Sequence, residues 1–330
     1  MTILKSATEH RMEFKKNLNV LCCLICLVLC STFYYGFRVI TLTLVSVAVS
    51  EVASWVSNKL RGKIINLSDL SPVVSGVMFS CLLAPSSDYW LVIFGAIFSQ
   101  IVVLFPFGGK DNCRINETAA AFCFCAISWS TRIFRYPSPF TSLSVLGDIP
   151  LDTLTTSPAA TLHLGGKPIY SIWEMMLGAV PGSIGTASII IIIASFFFLL
   201  SRKNGGWQMS LATVVSFFAA SLFFCRTNLN PFISAFYELF SGSVMFCAVF
   251  LVPESEKFFS SKTASVIYSV FVGVIAVLFR YFGGFEEGIC FSILLCSLVL
   301  PLFDLLATKA KRCFDKNKSL IGGLKREKGN

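Results

Sequence analysis

Ten apolar segments run along this chain, near residues 17–36, 39–57, 71–85, 89–106, 117–134, 184–200, 207–224, 231–252, 264–281 and 288–306. Each approaches the roughly 20 residues that cross about 30 Å of hydrocarbon. One long polar stretch, Tyr136 to Lys167, interrupts them. Backbone in lipid must satisfy its own hydrogen bonds, so segments of this kind become helices. The pattern predicts an all-α polytopic membrane protein with about ten transmembrane helices and one long loop in water. It divides the chain into an N-terminal segment (1–16), five spans (17–134), the loop (135–170), five further spans (171–306) and a basic tail (307–330).

Composition supports that reading: 55% of residues are hydrophobic, only 14% are charged, and 33 are Phe. Soluble domains are far more charged. Lys and Arg then set the expected orientation. With the N-terminus inside, 21 of the 27 basic residues fall on cytoplasmic segments, and six fall elsewhere (Arg38, Arg132, Arg135, Lys167, Arg226 and Arg280). This is the positive-inside bias. It places both termini in the cytoplasm and the 135–170 loop outside. The net charge of +9 follows from topology and from the tail Lys309–Lys328, which suits anionic lipid and not nucleic acid. A cleaved signal peptide at 17–36 is disfavoured, because the run is long, lacks a small-residue cleavage site and is followed at once by a second span.

The two halves share an order of features. Residues 75–85 read SGVMFSCLLAP and 241–253 read SGSVMFCAVFLVP; Phe107-Gly108-Gly109 is matched by Phe282-Gly283-Gly284. Five spans per half reverse direction between halves, so the expectation is an inverted repeat, an architecture that places polar sites between its halves. Pro72, Pro85, Pro106, Pro181, Pro231, Pro253 and Pro301 are expected at breaks or ends of spans. Gly178–Gly185 (GAVPGSIG) is expected to be a broken or re-entrant piece.

Thirteen cysteines are scattered, mostly within spans. They read as small buried hydrophobes; a membrane-embedded iron–sulfur site at Cys22, Cys23 and Cys26, shared with another subunit, is the minor alternative. Ionisable residues within spans are expensive and hence functional candidates. They are Glu51, Asp69, Glu117, Glu174, Glu238 and Asp304. Glu51, Glu238 and Asp69 are the ion-pathway candidates. Arg280, Glu286 and Glu287 are expected to form an ion pair at the outer surface. No nucleophile–base set, phosphate loop, dinucleotide fingerprint or paired CxxC is present, so no residue is assigned a catalytic role. The loop run LTTSPAATLHLGGKP concentrates hydroxyls beside small residues. Such a hydroxyl can be esterified by a phosphate, but from the residues alone O-glycan attachment or plain loop chemistry is the favoured reading.

These pieces together carry a resemblance. Asp69-Leu70-Ser71 leads into SGVMFSCLLAP, Phe107-Gly108-Gly109 is followed by Asn116, and Gly178, Pro181-Gly182-Ser183-Ile184-Gly185 comes next. Arg280, Gly283-Gly284, Glu287-Gly288, Phe291 and Pro301-Leu302-Phe303-Asp304 close the set. In this order, over roughly residues 14–306, the chain resembles the RnfD/NqrB family, membrane subunits of ion-translocating electron-transport complexes. The resemblance implies FMN joined through its phosphate to a Thr of an outer loop, and the matching residue is Thr161, within Ala160-Thr161-Leu162. It also implies a role in passing electrons between ferredoxin and NAD, other Rnf-type membrane and peripheral subunits as partners, the bacterial inner membrane as location, and riboflavin or a second flavin as a further cofactor candidate. Pro158-Ala159, Glu117, Cys113, Thr186, Val252 and Ser297 stand where the family carries other residues. The alternatives are a small-solute channel or transporter, and a structural subunit that has lost its flavin.

Overall fold

The computed structural model describes residues 2–62, 69–147, 149–225, 227 and 230–309. The tail beyond residue 309 and Arg226 lie outside the described residues. Among those described, the chain is helical, with one isolated bridge between Tyr136 and Thr155. Each of the ten apolar segments falls on helix. The helices are α1 (Thr2–Tyr35), α2 (Arg38–Leu60), α3 (Ser71–Leu82), α4 (Tyr89–Leu104), α5 (Glu117–Ser128) and α6 (Ser130–Ile133). The short loop helices α7 (Pro158–His163) and α8 (Ile172–Leu177) follow. Then come α9 (Ile189–Ser201), α10 (Trp207–Phe223), α11 (Pro231–Phe240), α12 (Val244–Phe258), α13 (Lys262–Phe282), α14 (Ile289–Leu298) and α15 (Leu300–Lys309).

Among the described residues, three helices are long and apolar enough to cross a membrane unbroken: α1 over Arg11–Tyr35, α2 and α13. Two further spans are bent pairs, α11–α12 at 69° and α14–α15 at 71°. The other five predicted segments form helices of 10–17 residues. Local chemistry explains these interruptions. Pro72 and Pro231 occupy the first turns of α3 and α11, where a missing N–H costs nothing. Pro301 stands just inside α15, at the second bend, and Pro253 lies in the tight 3₁₀ turn that ends α12. Side chains of Asn116, Ser188 and Ser261 cap α5, α9 and α13.

The Gly178–Gly185 piece is broken as expected. Gly178 takes φ +88° and closes α8. Its freed backbone groups find partners inside the protein: Ile184 N–H donates to Leu83 O at 3.0 Å, and Tyr35 OH donates to Val180 O at 3.0 Å. A Cβ on Gly185 would sit 2.9 Å from Cys81 and Phe246, so the glycine lets this piece wedge between α3 and α12.

Helix neighbours pack within and between the two halves. α2 lies against α3 and α4, α10 lies against α13, and α5 meets α14 across the middle. Contacts also sort the helix ends into two groups. At one end, Arg38 is buried and donates to Ser144 O, Gly147 O and Ser87 O, while Arg132 pairs with Asp88 at 2.6 Å. This loop end gathers the segments predicted outside. At the other, basic end, the start of α1, the end of α2, the start of α3 and the 105–111 and 253–257 turns surround one cavity. Apolar side chains such as Phe33, Phe37, Leu44, Phe197 and Phe223 point outward, a surface suited to lipid. Cys23, Cys81, Cys123, Cys125, Cys247, Cys290 and Cys296 pack in the core as small hydrophobes, whereas Cys22 and Cys26 are exposed on α1. Among the described residues no group of three metal-ligating side chains converges.

Candidate functional site

Thr161 lies on α7 at the loop end. Ser157 caps this helix, accepting from Ala160 N at 3.1 Å, and Pro158 starts its first turn. Ala159 and Leu162 are fully buried and hold one side of α7 against the protein. The helix is pinned at both ends. Ser157 Oγ donates to Glu286 Oε1 at 2.9 Å, and His163 Nδ1 lies 2.5 Å from Arg280 O. Two other loop hydroxyls are bonded, Thr153 to Pro150 O at 2.8 Å and Thr155 to Tyr136 O at 3.2 Å. Thr161 is half-buried, and its Oγ1 reaches Ser157 O at a long 3.5 Å, at the limit of a useful bond. Gly166 packs against it, where a Cβ would come 3.1 Å from Thr161 Cγ2. Lys167 is exposed, and Leu164 and Ile169 stand 85% and 97% exposed on the same segment.

Beneath α7 lies a cluster that was expected at the surface. Arg280, Glu286 and Glu287 are buried, and the ion pair joins Arg280 to Glu238 at 3.0 Å. The Gly283–Gly288 turn folds inward because Glu287 accepts from Ser243 N at 2.9 Å and from Ser243 Oγ at 2.5 Å. Gly242, at φ +64°, permits this approach, since a Cβ there would strike Glu287 and Arg280. Arg280 also donates to Glu238 O, Ser241 O, Ser241 Oγ and Glu286 O, and Tyr281 OH donates to Glu238 Oε1 at 2.9 Å. Burial, reinforced by the Glu287 charge, lifts the Glu286 carboxyl to about 7. Burial lifts Glu287 as well, against the opposing pull of Arg280. Tyr136 is pushed well up by burial and by the Glu286 charge.

A second cluster sits at the basic end. Lys110 Nζ bridges Glu117 Oε1 at 2.9 Å and Glu254 Oε1 at 3.0 Å. Ser75 Oγ donates to Glu117 Oε1 at 2.8 Å, and Asn116 Nδ2 donates to Glu254 Oε2 at 2.9 Å. Burial alone would lower the Lys110 ammonium, but the two carboxylates hold it above its ordinary range. Ser75, Lys110 and Glu254 line a cavity of about 450 Å³ between the two halves. Each cluster pairs a serine with a glutamate: Ser75 Oγ donates to Glu117, and Ser243 Oγ donates to Glu287.

The three ion-pathway candidates do not converge. Asp69 is exposed, accepts from Ser71 N at 2.9 Å and lines the cavity. Glu51 is half-buried on α2, one turn before the cavity-lining Ser54. Glu238 lies at the opposite end, bound to Arg280. Glu174 is exposed and completes a capping box with Ser171, and Asp304 accepts from Ser260 N and Oγ. Lys110, Glu254 and Glu286 were missed as site residues. The repeated Ser-Gly and Phe-Gly-Gly steps were the available signal, because they bracket both clusters.

A family model described as the NQR2, RnfD, RnfE family matches residues 7–312. The chain belongs to this family. The match takes in both halves and the loop between them. Among relatives, the RnfD protein of the ion-translocating oxidoreductase complex of Shewanella frigidimarina is 24% identical over 91% of this chain and 93% of that protein. Its counterpart in the Na⁺-translocating ferredoxin:NAD⁺ oxidoreductase complex of Acetobacterium woodii is 26% identical over 87% and 86%. The RnfD resemblance read from the motifs is thereby borne out.

Proposed function

We infer that the chain is the membrane subunit of an Rnf-like ion-translocating electron-transport complex of the ferredoxin/NAD type, and that it relays electrons through FMN held as a phosphoester on Thr161. Family membership supports the complex. The observation that carries the attachment is the weakly bonded, half-exposed hydroxyl of Thr161 on a helix pinned at both ends. Bound there, FMN supplies one- and two-electron transfer. The chain's own residues do the positioning. Ser157 and His163 hold α7, Gly166 leaves space beside Thr161, and Lys167 offers a counter-charge to the phosphate. A tether sets a constant distance to the next carrier. Leu164 and Ile169 give the segment an apolar surface for a neighbouring Rnf-type subunit. By the positive-inside bias this end faces outward, with both termini in the cytoplasm of a bacterial inner membrane.

The test is in-gel fluorescence of denatured protein from cells that express the flavin transferase. A fluorescent band lost in Thr161→Val, with the added mass on the 136–167 peptide, supports the attachment. A dark wild-type band removes it. The 450 Å³ cavity between the halves favours a second reading, a small-solute transporter; uptake into proteoliposomes by this chain alone would select it. Copurification with membrane redox subunits, without flavin, would instead mark a structural subunit.

A further inference from the structure

The Lys110 ammonium sits where a free cation would. It is surrounded by Glu117 Oε1 at 2.9 Å, Glu254 Oε1 at 3.0 Å and Ser75 Oγ at 3.4 Å, all oxygens. The two carboxylates are fixed independently of it. Ser75 and the start of α5 hold Glu117, and Asn116 holds Glu254. They come from sequence-distant elements, α5 and α12, and Glu254 lines the cavity with Lys110 and Ser75. A hard monovalent cation favours such an oxygen cage, with cavity water completing its shell. Gln100 is 3% exposed and lines the same cavity, yet its amide nitrogen has no partner among the described residues. Rotating that amide would present its oxygen instead.

We propose that Lys110 Nζ fills a monovalent-cation site built by Glu117, Glu254 and Ser75, and so excludes Na⁺ from that position. This deepens the reading of the chain as part of an ion-translocating complex, since it names a residue that decides which cation the cavity floor accepts. Electrostatics give the reason. The ammonium is covalently tethered, so it competes at high effective concentration with any free ion. Lys257 does not replace it, because its Nζ donates to Lys110 O at 2.9 Å and faces Asp111 at 3.7 Å.

The experiment is ²²Na⁺ binding to the purified full-length chain in detergent at constant ionic strength, with choline replacing sodium. Wild type is expected to hold no Na⁺ above the choline background. Lys110→Met is expected to bind up to one Na⁺ per chain, displaced by Li⁺, and to lose it when Glu254→Gln is added. Lys110→Gln serves as a second variant. If either variant folds in sodium buffer but not in choline, sodium is replacing the ammonium, which supports the site. Three results would overturn it: Na⁺ held by wild type and lost in Glu254→Gln, folded Lys110 variants that bind none, or variants that fold in neither salt. No flavin or electron donor enters the assay, so its outcome is independent of the Thr161 fluorescence result.

Discussion

Glu286 links the buried carboxylates to the helix that carries Thr161, and replacing it with Gln isolates that link. The folded protein lifts this carboxyl from 4.5 to about 7, through burial first and the Glu287 charge second. Folding therefore prefers the protonated form. The stabilisation is fully present below about pH 4.5 and is lost as pH rises through 7. At about 1.36 kcal/mol per pH unit, the loss amounts to about 3 kcal/mol. Because Glu287 shares the local charge, the pair titrates together and that figure is an upper bound. Gln mimics the protonated carboxyl, and its oxygen can still accept from Ser157 Oγ. The expected result is that Glu286→Gln matches wild type near pH 4.5 and is the more stable protein at pH 8. Equilibrium unfolding in mixed micelles, followed by Trp fluorescence between pH 4.5 and 8.5, reads the difference directly. Parallel curves for the two proteins across that range, or a less stable Gln variant at pH 8, would refute the reasoning.

Two further outcomes follow from the same geometry. Arg280→Leu strands Glu238 and Glu287 in a buried setting and should cost about 3–5 kcal/mol, whereas Glu238→Gln leaves Arg280 its other acceptors and should cost about 1.5–3 kcal/mol; unfolding at pH 7 checks the order. Gly178→Ala forces a Cβ onto the Ala187 carbonyl at φ +88°. It should be far more damaging than Gly62→Ala, at φ +65° with open space around it, where only left-handed strain of about 1–2 kcal/mol applies. Yield of folded protein and the unfolding midpoint compare the two.

The glycines and prolines show how far the chain could be read in advance. A missing N–H or a missing Cβ acts on its own backbone neighbours, so the breaks at Pro72, Pro231 and Gly178–Gly185 were visible without coordinates. Thr161 was reached through motif order, and the structure adds that Ser157 and His163 pin its helix. The carboxylates were another matter. Arg280, Glu286 and Glu287 stand next to a turn and read as surface charge; the fold buries them because Ser243, some 40 residues earlier, captures Glu287.

Helical character, the span positions and the loop between them were thus properties of the sequence itself, since transfer of each apolar segment from water to lipid depends on that segment alone. Which charges meet was decided by tertiary structure. Lys110 reaches Glu254 across 144 residues, and Ser157 reaches Glu286 across 129. Such pairs form because packing brings particular helix ends together and leaves each buried charge to find whatever partner lies within about 3 Å.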